Sequence, residues 1–135
     1  MSRKATRELA LKMVFQHSFS PQDDDLAREH MQQPVDESFL ELLVTGVNLH
    51  GSQLDQIIGR FSQGWTVDRM PRVDRSILRL AVFELLATDS PTPVVINEAV
   101  ELAKRYSDAA GARFINGVLD SIAAQRQQLC LGKNE

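Results

Sequence analysis

The chain has 135 residues, 43% of them hydrophobic and 24% charged, with a formal net charge of -3. This composition excludes global disorder and suits one globular domain with one or two small cores. No apolar run reaches the roughly 18 residues needed to cross a bilayer, the amino terminus lacks the apolar stretch of a secretory leader, and the lone Cys130 excludes an internal disulfide or a cysteine metal site; a soluble cytoplasmic protein is expected.

The five prolines, Pro21, Pro34, Pro71, Pro91 and Pro93, fall between segments with a helical repeat of apolar residues. Segment one, Ala5 to Phe19, carries Leu9, Leu11, Met13, Phe15 and Phe19 at three- and four-residue steps behind a basic first turn. A polar stretch from Ser20 to Val35, with Asp23, Asp24 and Asp25, reads as a linker. Segment two, Glu37 to His50, sets Phe39, Leu40, Leu43 and Val47 on one side. Segment three opens on Ser52 and Asp55, spaced as a capping box, and repeats Leu54, Ile57, Ile58, Phe61 and Trp65.

Segment four, Pro71 to Ala87, has a wide apolar face and is expected to be the most buried helix. Segment five begins at Thr92-Pro93, an N-cap followed by a first-turn proline, and helix formers carry it past the β-branched run Val94-Val95-Ile96. Segment six, Ala112 to Gln128, stacks Phe114, Ile115, Val118, Leu119 and Ile122. Gly46, Gly59 and Gly117 inside these helices point to close helix crossings. With no period-2 alternation, the fold class is all-α: two packed three-helix groups, residues 1–70 and 71–135, in a single domain.

Residues for catalysis are missing. His17, His30 and His50 stand alone, without the histidine pair of a helical zinc site, and no glycine-rich phosphate loop occurs. Glu98 and Glu101 read as a solvated face beside Lys104 and Arg105. No enzyme, cofactor or metal is expected.

Charge is segregated instead. Arg3, Lys4, Arg7 and Lys12 crowd the first segment, acidic residues dominate 23–41, and five arginines lie between Arg60 and Arg79. If the two basic blocks meet, they form a face for a polyanion. Arg72, Arg75 and Arg79 recur at i, i+3 and i+7 with Phe83 one turn on, a cationic stripe ending in an aromatic, suited to single-stranded RNA. The competing reading pairs these arginines with Asp68, Asp74 or Glu84. Arg3, Lys4 and Arg7 form a terminal arm able to order on a polyanion. The turn Ser107 to Arg113 offers a helix amino terminus beside an arginine, a place for phosphate.

The motifs Arg7-Glu-Leu-Ala-Leu, Asp74-Arg-Ser-Ile-Leu-Arg-Leu-Ala-Val-Phe-Glu-Leu-Leu, Pro93-Val-Val-Ile-Asn-Glu-Ala-Val-Glu-Leu-Ala-Lys104 and Phe114-Ile-Asn-Gly-Val-Leu-Asp120 resemble the NusB transcription antitermination factor family over nearly the whole chain. The resemblance implies two three-helix bundles, no enzymatic activity, and binding of boxA single-stranded RNA in ribosomal RNA leader transcripts together with NusE. Other Nus factors and RNA polymerase follow as indirect partners. It further implies RNA contacts at Arg3, Lys4, Arg7 and Phe15, at Arg72, Arg75 and Arg79, and at Gly111, Arg113 and Asn116, with partner contacts at Phe83 and Glu84. Ala5 and Thr6 interrupt the basic run, and Gly111 stands where relatives often carry serine. A protein-interaction module or homodimer with weak RNA binding is the alternative, as is a module related to those fused to RNA cytosine methyltransferases.

Overall fold

The computed structural model describes residues 2–19 and 34–131. The acidic linker with Asp23, Asp24 and Asp25, and His30 with it, lies outside the described residues. Among the described residues there are six α-helices, one 3-10 turn at Val67–Arg69 and no strand: α1 Arg3–His17, α2 Glu37–Leu49, α3 Gly51–Phe61, α4 Arg72–Ala87, α5 Thr92–Tyr106 and α6 Ala109–Ala123. The all-α expectation holds, and Val94-Val95-Ile96 is helical.

Helix ends differ from the apolar repeats because polar side chains set them. Ser2 is extended and its hydroxyl accepts the Ala5 amide at 3.1 Å, so α1 starts at Arg3 rather than Ala5. Buried Thr6 donates to the Ser2 carbonyl at 2.8 Å and accepts the Asp36 amide at 2.8 Å, which ties α1 to the start of α2. Asp36 then caps α2 through the Phe39 amide.

The capping box expected for α3 does not form: His50 ends α2 and begins α3, with no side-chain cap, and Asp55 turns to Arg79. Positive φ values at Gln63 (52°) and Gly64 (94°) break the helical path after Phe61, so Trp65 leaves the α3 stripe. Thr92 is the first residue of α5 rather than its cap. Its hydroxyl accepts from Arg126, which also donates to the Leu85 carbonyl at 2.6 Å and the Thr88 carbonyl at 2.9 Å. One guanidinium thus satisfies carbonyls that the carboxyl end of α4 leaves open.

Helix α4 is the most buried, as its wide apolar face suggests, and it touches each of the other five helices. Helices α1 and α2 lie together, α5 lies on α6, and α3 reaches both α4 and α6. Leu9, Leu43, Ile58, Leu78, Ala103 and Ile115 come from all six helices, and none of them is more than 1% exposed, so both halves share one continuous core. Gly46 is a true close crossing, because a Cβ there would fall inside the Phe83 ring. Gly59 and Gly117 face open space and mark no crossing.

Candidate nucleic-acid interface

The amino-terminal motif is helical, not a loose arm. Arg3 lies over the Phe39 ring at 4.1 Å and 3.8 Å from Asp36, and Lys4 is 3.5 Å from Glu98; both remain exposed. Arg7 points inward, where its Nε and Nη2 donate to the two Glu84 oxygens at 2.9 and 2.7 Å. Burial alone would lower the Arg7 pKa, but the hydrogen bonds and charge of Glu84, with a further contribution from Glu98, hold it above the ordinary value. Arg7 is therefore an internal tie, and the expectation that it offers its guanidinium to RNA is corrected.

The arginine stripe on α4 divides along its length. At the start of the helix Arg72 is exposed, donates to the Ser18 carbonyl at 3.3 Å and lies over the Phe19 ring at 4.2 Å. Arg75 is half-buried and has no carboxylate partner among the described residues. Further on, α3 covers the same side: Arg79 forms a two-pronged pair with Asp55 at 2.7 and 2.6 Å, which corrects its RNA assignment. Asp55 was not among the partners its sequence neighbourhood suggested. Phe83 and Glu84, expected at a partner surface, are 4% and 2% exposed. Phe83 closes on Gly46 and Glu84 holds Arg7, so neither presents a docking surface.

At the amino end of α6, Asp108 accepts the Gly111 amide at 2.7 Å, so the open phosphate site expected there is already capped. Gly111 is buried, whereas Arg113 and Asn116 are exposed and line a groove of about 400 Å³ with Lys104. Two further recesses lie apart from it. One of about 410 Å³ brings Phe15 and Arg72 together with Leu11, Lys12, Val73 and Tyr106. The other, of about 310 Å³, is lined by Trp65, Asp74, Gly111 and Phe114. These two share Pro71 and continue from Tyr106 into Ser107, forming a belt with Lys12 and Arg72 along it, whereas the groove of Lys104, Arg113 and Asn116 lies on the opposite flank of α6 from Gly111 and Phe114. Arg3 is at the other end of α1, about 18 Å of helix rise from Phe15. The two basic blocks therefore meet at Lys12 and Arg72, while Arg3 and Lys4 stand apart at the far end of α1.

A polar cluster fixes the belt between α1 and α5. Glu8 accepts hydrogen bonds from the Tyr106 hydroxyl and from Arg105 at 2.8 Å. Burial would raise the Glu8 pKa, but the bonds from Tyr106 and Arg105 and the charges of Arg105 and Lys12 outweigh it, leaving the value below the ordinary 4.5. For Tyr106, burial and then the bond and charge of Glu8 raise the value above the ordinary 10.0. The cluster's stability is fully present between those two ordinary values. It is lost as pH falls through the depressed Glu8 value, and again as pH rises through the raised Tyr106 value. Tyr106→Phe should remove the alkaline loss and lower mid-range stability by about 1 kcal/mol; urea melts across pH that superimpose on the wild type would refute the coupling.

Trp65 and Asp74 went unrecognised as belt residues in the sequence. The one available signal was the chain's single tryptophan directly after Gly64, where a helix cannot continue. Asp74 carried none.

A family model described as the NusB family matches residues 4–124. The transcription antitermination protein NusB of Anaeromyxobacter dehalogenans (strain 2CP-1) is 44% identical over 128 residues, 90% of each chain. Among solved structures, T. maritima NusB is similar at a TM-score of 0.81 and 33% identity, covering 96% of this chain and 99% of its own. A chain in the crystal structure of antitermination factors NusB and NusE in complex with dsRNA is similar at 0.77 and 25% identity, covering 90% and 96%. Sequence motifs, helix order and near-complete coverage coincide, and the chain belongs to the NusB family.

Proposed function

We propose that the protein is an RNA-binding transcription antitermination factor without catalytic activity, which binds boxA-type RNA of ribosomal RNA leader transcripts together with NusE and supports read-through by RNA polymerase in the cytoplasm. The observation that carries this reading is the likeness, over 90% of the chain, to a structure of NusB with NusE and dsRNA. Several surfaces suit it: Arg72 and Phe15 in the belt offer a phosphate contact and an aromatic face, half-buried Arg75 a further cation on α4, Arg113 and Asn116 a groove on the other flank of α6, and Arg3 and Lys4 positive charge at the start of α1. No helix among the described residues is long and apolar enough to cross a membrane.

The test is a titration of boxA-type RNA, with and without NusE, at several salt concentrations. Phosphate contacts make log K fall with log salt by about 0.7 per contact on a single strand. A salt-insensitive interaction would favour the apolar homodimer instead. Arg75→Ala should weaken RNA binding by about 1–3 kcal/mol with folding intact. Arg79→Ala should act mainly on stability, by up to about 1 kcal/mol, because its pair with Asp55 is partly exposed. Unchanged affinity of Arg75→Ala would remove Arg75 from the RNA site.

A further inference from the structure

Asp74 and Glu84 are the two buried carboxylates among the described residues. Glu84 holds Arg7, but Asp74, 4% exposed, has a buried Oδ1 with no hydrogen-bond partner. Burying such a group without a partner is costly; His50 Nδ1 is the other buried polar side-chain atom left so among the described residues, and Asp74 is the carboxylate. It lines the 310 Å³ recess of the belt. Gly111 keeps the recess open: a Cβ there would collide with the Ser107 hydroxyl and lie 3.0 Å from Asp74 Oδ2. Trp65, 56% exposed, stands at the mouth and meets Phe114 edge to face at 6.3 Å.

We propose that this recess takes one unpaired guanine base of the RNA, a deepening that rests on the RNA-binding reading. A carboxylate only accepts hydrogen bonds. The Watson–Crick edge of guanine sets N1–H and an N2–H side by side; Asp74 Oδ2 faces Gly111 in the recess, and a turn of the carboxylate about its Cβ–Cγ bond would bring the buried, unpartnered Oδ1 beside it to accept the second donor. Adenine and cytosine offer one amino group beside an acceptor nitrogen, and uracil flanks its single N–H with two carbonyls that a carboxylate repels. Trp65 supplies the face on which a splayed base stacks. Exposed Arg69 and Arg72 flank Met70 and Pro71 on the recess wall, and Asp108, whose Oδ1 accepts the Gly111 amide, also lines it. The two arginines attract phosphates and Trp65 offers a base a stacking face, which favours a nucleotide over a lysine or arginine of a partner.

The experiment titrates the full chain with labelled short oligouridines carrying one central guanine, inosine or adenine. Guanine should bind about ten-fold tighter than adenine, with inosine, which lacks the N2 amino group, between them. Asp74→Asn should bring guanine and adenine to within about two-fold of each other. Trp65→Ala, a change at an exposed side chain, should weaken the guanine oligomer about ten-fold while leaving its salt slope unchanged; it decides the matter if Asp74→Asn fails to fold. Equal guanine and adenine affinity with a steep salt slope overturns the guanine site and leaves RNA binding standing. Loss of all salt-dependent binding overturns both. An arginine-rich peptide that binds the wild type and not Asp74→Asn, with base-blind RNA binding, would assign the recess to a protein side chain instead.

Discussion

Glu84→Ala is expected to lower folding stability by about 3–5 kcal/mol, the largest single effect of any polar substitution in the protein. The Arg7 and Glu84 side chains are 11% and 3% exposed, and both prongs of the pair are short. Removing one partner leaves the other as an uncompensated charge between α1 and α4. Arg7→Lys should lose part of the stability, because an ammonium cannot reproduce the two-pronged geometry. The double change Arg7→Met with Glu84→Leu should recover most of the loss, since it removes both desolvated charges together. Urea unfolding followed by circular dichroism reads this as a shift in midpoint at constant slope. A midpoint for Glu84→Ala close to the wild type would show that the pair does not hold the two helices.

Phe83→Ala should cost about 3–5 kcal/mol, and Gly46→Ala about 1–3 kcal/mol in spite of alanine's better helix propensity. The Phe83 ring occupies the space a side chain at 46 would need and lies near the His50 ring at 6.1 Å, so α2 and α4 approach as closely as they do only because position 46 has no Cβ. Combining Gly46→Ala with Phe83→Leu should give less than the sum of the single losses, because a smaller, more flexible side chain can yield to the added methyl. Additive losses would mean that the two positions do not share one contact.

These two predictions fall on residues whose sequence context pointed elsewhere. Arg7 sits in a basic run, and Glu84 and Phe83 follow a cationic stripe, so local pattern put all three on a binding surface. The helical repeat does place Arg72, Arg75, Arg79 and Phe83 along one side of α4. It says nothing about which part of that side another helix covers. Asp55 of α3 and Gly46 of α2 lie over the second half, so exposure decreases along the stripe from Arg72 to Phe83. The same limit applies to Arg126, whose three bonds join residues 34 to 41 positions apart, and to Asp74, whose neighbours in the recess come from α6 and the segment after α3.

By itself the amino-acid sequence determined the all-α class, the order of the helices, the central burial of α4 and the family, because apolar period, proline placement and local motifs are properties of neighbouring residues. Only the tertiary structure decided which arginines remain available, which carboxylate is left without a partner, and that Trp65 joins Phe114 rather than the α3 stripe. Ion pairing and burial depend on groups brought together across the chain, and a charge near a prospective partner in sequence is captured instead by a better-placed one from a distant helix.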